Sequence, residues 1–159
     1  HTARRYPIRD EFYRRYLNII EHAKGQIGWG TYFQRLIAFG TSNRNQLEES
    51  IIKLSSWQTE QVAAHYFHLS SREIDSPRKM GGPCWQYAQL KVKDGKITMT
   101  AVYRNHDFFE KAFGNYIALG QLLQFISSEA DLEPGLLICH SIHAFCKNAN
   151  HLERLIEIA

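Results

Sequence analysis

Apolar positions along the chain change period several times, and each change marks an expected element. Phe12, Tyr16, Ile19, Ile20 and Ala23 form one helical stripe, with Asp10 placed to cap it and Gly25 to close it. Gly25, Gly28 and Gly30 around Trp29 read as a turn region without the lysine of a phosphate loop. Tyr32 to Phe39 is a short apolar segment ended by Gly40. Leu47, Ile51 and Leu54 space a helix from about Asn45 to Ser56. Val62, Tyr66 and Phe67 suit a strand over Gln61 to Leu69, in which His65 and His68 read as strand residues rather than ligands. Ser70 to Lys79 is a charged loop containing proline.

The clearest local signal follows. Trp85 to Val92 alternates loosely, Asp94-Gly95 is a two-residue hairpin turn, and Ile97 to Tyr103 runs back in β-branched and aromatic residues. A two-residue turn sets Cys84 opposite Asn105, and a turn one residue different sets it opposite Arg104. Either register gathers a thiol, a guanidinium and an amide at the open end of the hairpin.

Asp107 and Glu110 resemble a capping box at the start of a long helix, about Phe108 to Ser127. Its residues are apolar almost all round, so a buried helix is expected. Asn115 lies in its first half, where its amide must bond to the backbone or read a ligand. Glu133-Pro134-Gly135 reads as a turn, Leu136 to Phe145 as a last strand, and Asn148 to Ile158 as a closing helix. Helices and strands mix without a βαβ rhythm. The expected class is α+β, with a mainly antiparallel or mixed sheet and a long buried central helix, as one domain over residues 1–159.

Composition narrows the function classes. At 44% hydrophobic and 22% charged residues the chain is globular rather than disordered. No apolar run approaches a membrane span. The net charge of +3 is by itself too small to point to nucleic acid; the arginines at 4, 5, 9, 14 and 15 could receive phosphate or an acidic partner, but read first as a solvated helix face. Cys84, Cys139 and Cys146 lack disulfide-scaffold spacing, which indicates a reducing, cytoplasmic compartment. The chain begins at His1 rather than Met, as a piece of a longer protein would.

Four chemistries can be weighed on the residues. Cys84 beside an arginine has the setting of an activated thiolate, against the alternative of a structural cysteine at a strand start. Cys139, His140, His143 and Cys146 offer soft metal ligands, but strand alternation sends Cys139 and His140 to opposite faces, so no metal is expected. Neither a nucleophile elbow nor a dinucleotide fingerprint is present.

Over roughly Tyr32 to Leu152 the chain resembles the thymidylate synthase and pyrimidine nucleotide hydroxymethylase superfamily, in its short archaeal type. Asn45-Gln46-Leu47 with Ile51-Ile52 and Leu54 resembles the family's "DQL..VI..L" helix, and Pro83-Cys84 its proline-cysteine nucleophile. Arg104-Asn105-His106-Asp107 stands at the interval of its "RSxD" motif, and Asn115 where its base-reading asparagine lies. Pro134-Gly135 and His143-Ala144-Phe145 resemble its later "PG" and "HxY" elements.

This resemblance implies addition of Cys84 to C6 of a pyrimidine nucleotide such as dUMP. A one-carbon unit from 5,10-methylenetetrahydrofolate then goes to C5, giving a methyl or a hydroxymethyl group. It implies Cys84 and Asp107 as catalytic residues, with Arg104, Asn105, Asn115, His143 and Tyr32 binding substrate. Within this assignment Arg104 and Asn105 hold the phosphate, Asn115 reads uracil and His143 meets the sugar. It also implies a homodimer packed sheet to sheet. Departures are visible too. No glutamate stands where the family has a catalytic one, Glu21 being nearest in order. Glu60 and Gln61 occupy the place of the arginines lent by the partner, Phe145 replaces a tyrosine, and the closing tail would lie beyond Ile158. The alternative is a catalytically diverged nucleotide-binding or dimerising module that kept the pocket.

Overall fold

The computed structural model describes residues 29–40, 43–57, 65–77, 79, 81–147 and 153. The helices expected at Asp10 to Ala23 and Asn148 to Ile158, and residues 58–64 with Glu60 and Gln61, lie outside the described residues, apart from Glu153.

The Asp94-Gly95 turn closes as expected, with positive φ of 49° and 71° at its two residues. It joins β2 (Trp85–Lys93) to β3 (Lys96–Tyr103), and the ladder runs from Lys93↔Lys96 to Tyr87↔Val102 in simple antiparallel register. A bulge between Trp85 and Tyr87 then shifts the register, so Trp85 faces Tyr103. The open end is therefore displaced by one: the Arg104 N–H donates to the Cys84 carbonyl (2.9 Å), in place of the Asn105 pairing that an unbroken ladder gives.

Strand β1 (His65–His68) pairs antiparallel with β2, and β5 (Glu133–Ser141) pairs parallel with β3, in the order β1-β2-β3-β5. The fold is α+β with a mixed sheet and a long helix. A single βαβ crossover through α4 (Ala112–Glu129) creates the parallel pair, which the alternation of elements along the chain did not announce. Glu133-Pro134-Gly135 is the first part of β5 rather than a turn. β5 ends at Ser141, and a short parallel pair follows, β4 (His106–Asp107) with β6 (Ala144–Phe145).

One sheet face carries the core. Phe67, Ala88, Leu90, Met99 and Ala101 are fully buried against helices, with Leu137 and Cys139 packed beside them. α4 is buried along one side only, through Leu119, Leu123 and Ile126. Phe113 stays 76% exposed and Ile117 is exposed as well, so the uniformly apolar pattern overstated its burial. It also starts later than the capping pattern suggested. Asp107 Oδ1 accepts from the Phe109 and Glu110 N–H groups (3.1 Å each) and caps a turn that precedes the helix. Helix α2 (Gln46–Ser55) begins where expected. Asn45 Oδ1 accepts from the Glu48 N–H, and Leu47, Ile51 and Leu54 enter the core.

Helix α1 (Tyr32–Ile37) is held by Arg35, which is only 4% exposed. Its guanidinium makes a two-pronged pair with Asp75 (2.7 and 2.8 Å) and donates to the carbonyls of Leu69 and Trp29. Asp75 belongs to α3 (Arg72–Asp75), a short helix inside the segment read as a loop. Among the described residues no helix is long and apolar enough to cross a membrane.

Candidate active site

The hairpin's open end, α1 and the start of α4 converge. Thr31 Oγ1 accepts from the Gln34 N–H and begins α1, which sets Tyr32 against the start of β2. The Tyr32 hydroxyl oxygen accepts from the N–H groups of both Cys84 (3.1 Å) and Trp85 (3.0 Å). Its ring is flanked by Trp29 and Trp85. Burial raises the Tyr32 pKa above its ordinary value, so the hydroxyl stays protonated; the Cys84 sulfur and the Arg104 guanidinium both act on it electrostatically. The half-buried Cys84 is a free thiol.

Arg104 wraps the loop that delivers Cys84. Its Nε donates to the Pro83 carbonyl (3.1 Å), and Nη2 donates to the carbonyls of Gly81 (3.1 Å) and Gly82 (3.5 Å). Gly82 has a φ of +105°, a conformation that favours glycine, which gives the proline-cysteine step its entry. Nη1 meets no acceptor among the described residues. The guanidinium therefore cannot offer its Nε–Nη2 edge to an anion without releasing the loop carbonyls.

The other expected residues fall into two linked pairs. His143 Nδ1 donates to Asn105 Oδ1 (3.1 Å) across the gap between β4 and β6. Asn115 Nδ2 lies 3.0 Å from His106 Nε2, so its amide bonds to a side chain, an option outside the two the sequence raised. His106 is almost completely buried, and its Nδ1 lies 2.8 Å from Ser141 Oγ. Burial lowers the His106 pKa, against an upward pull from Asp107, and keeps the ring neutral. Sequence reasoning gave His106 and Ser141 no role. The partners of His106 come from α4, nine residues on, and from β5, 35 residues on, contacts that no periodicity of the sequence marks.

A cavity of about 500 Å³ opens beside these groups, within the size range of small-molecule sites. Tyr32, Trp85, Tyr103 and Asn115 share its wall with Phe33, Leu119 and Leu122. Cys84 and Arg104 are not wall residues; Tyr32 and Trp85, bonded or adjacent to Cys84, connect them to the space. Burial also raises the Tyr103 pKa, with Tyr32 and Cys139 adding to the effect. Cys139 packs toward the core and His140 is exposed, the opposite faces that strand alternation predicts.

No family model matches the chain. Curated relatives do. A Methanothermobacter thermautotrophicus protein named "Putative thymidylate synthase" is 32% identical over 124 residues, covering 77% of this chain and 53% of its own length. Proteins of the same name from Methanococcoides burtonii (25% identical; 80% of this chain, 58% of theirs) and Methanocaldococcus jannaschii (23%; 87% and 64%) match over longer stretches. The chain belongs to the thymidylate synthase-like family. This thymidylate synthase-like chain spans about half the length of the first of these relatives.

Proposed function

We propose that this thymidylate synthase-like chain carries the nucleotide end of a one-carbon transfer site. The observation that bears most weight is the arrangement of Cys84, Arg104 and Tyr32 at one end of a single hairpin, next to a cavity with an aromatic wall. In this reading the Cys84 thiolate forms a bond to C6 of a pyrimidine nucleotide. The C5–C6 π pair moves to C5, whose negative charge is shared with the ring carbonyl. C5 then holds the pair that accepts a one-carbon unit.

Nη1 of Arg104 and the Asn105 amide N–H groups receive the phosphate, since Nε and Nη2 are committed to the loop. His143, fixed by Asn105, meets the sugar. Asp107 orders the turn above the site through Oδ1. Tyr32 holds the Cys84 amide, and Asn115 reads the base edge.

A reduced folate of the 5,10-methylenetetrahydrofolate class supplies, when bound, the carbon that C5 accepts. The cavity fits the flat ring of such a group: Phe33, Leu36 and Leu122 give it apolar walls, and Gln121 and Gln124 give it amides. Whether methyl or hydroxymethyl results is a property of the whole protein. A second copy of the chain covers the outward sheet face in this reading.

One observation favours the alternative of a nucleotide-binding module without chemistry: two of the three Arg104 nitrogens already hold loop carbonyls. Intact-mass measurement after incubation with 5-fluoro-dUMP and methylenetetrahydrofolate separates the two. The expected result is a mass gain of nucleotide plus folate that Cys84→Ala abolishes. No gain, with dUMP still bound, replaces the enzyme with the module; no dUMP binding overturns both.

A further inference from the structure

The His106 ring has no freedom to turn. It stacks on Tyr103 at 4.3 Å and 5°, and Tyr116 and Phe108 meet it edge-on at 5.5 and 5.4 Å. Both ring nitrogens are engaged. An amide nitrogen can only donate, so Nε2 accepts from Asn115 and the ring proton sits on Nδ1, donated to Ser141 Oγ. The bonds thus run in one direction from Asn115 into the sheet.

Asn115 lines the cavity. With one N–H spent on His106, its other N–H and its Oδ1 remain, and no protein group among the described residues takes them. Turning the amide over would put its oxygen against the Nε2 lone pair. Uracil and cytosine rings present donor and acceptor to such an amide in opposite order. We propose that His106 is a positioning residue that fixes which way round the Asn115 amide reads a ring, and thereby sets the preference between uracil-type and cytosine-type nucleotides. The identity of the ligand rests on the function proposed above; the locked amide does not.

Two measurements test this. Long-range ¹⁵N–¹H spectra of histidine-labelled protein at neutral pH, assigned by loss of signal in His106→Phe, should show Nδ1 protonated and Nε2 bare. A proton on Nε2 overturns the proposal. Calorimetry with dUMP and dCMP then compares the unaltered protein with His106→Phe and with Ser141→Ala, which keeps the ring in place but frees its tautomer. The expected change is a fall of about tenfold or more in the ratio of the two affinities, the scale of one misplaced hydrogen bond. A merely structural role weakens both nucleotides equally, leaves the ratio unchanged, and overturns the role of His106 alone. Binding of neither nucleotide by the unaltered protein overturns instead the function on which the choice of ring rests.

Discussion

Arg35 shows how one buried charge can hold a site it never touches. Its guanidinium is closed in by Asp75 and by two carbonyls, and it anchors the helix that carries Tyr32. Asp75→Ala would leave that cation buried with half its partners, at a cost of about 3–5 kcal/mol. Chemical denaturation should show a loss of that order, with dUMP affinity falling alongside as Tyr32 loosens. At this scale the sequence was legible where chemistry and a local turn coincide. Cys84 and Arg104 came together because a hairpin dictates who faces whom. The lock on Asn115 was not legible, because it joins residues from β4, α4 and β5, whose approach no local pattern encodes.

Among the elements, β5 departs most from expectation. Glu133-Pro134-Gly135 has turn composition, yet it pairs with Lys96 and Ile97. Two facts reconcile this. β5 is an edge of the sheet, where a proline's missing donor is tolerated near the strand start. Gly135 is pressed onto β3 so closely that an added Cβ would lie 2.9 Å from the Ile97 carbonyl oxygen. Gly135→Ala should therefore cost about 1–3 kcal/mol by forcing the strands apart. A lowered thermal midpoint would register it, and an unchanged one would mean the edge yields freely. The hairpin register was readable except for its bulge, since nothing in the alternation of Trp85, Gln86 and Tyr87 marks the extra residue.

At the scale of the whole molecule, the sheet has one face in the core and one open. Tyr66, Gln89, Thr100 and Ile138 stand in one row across the four strands, and His68, Tyr87, Val102 and His140 in the next. Tyr66 and Ile138 are 48% and 46% exposed, and Leu136 on the same face 68%. The exposed Tyr66, Leu136 and Ile138 on this face suit a matching surface, and the proposed second copy is tested there. Ile138→Glu should convert a dimer to a monomer in sedimentation velocity; a monomer before the change would rule out the pairing. The α+β class was readable from the mixture of elements. The parallel pairing was not, because its two strands are separated by the whole of α4 and periodicity carries no information about partners so distant.

That separation has a corollary in time. The β2–β3 hairpin closes through two turn residues, whereas β5 reaches β3 only after the chain between them has been gathered in, an entropic delay that grows with the span enclosed. During folding the sulfur and its arginine are thus neighbours early, while Ser141 and His143 arrive with the last strand. On the function proposed, the bond-forming end of the site is built before the end that selects its ligand.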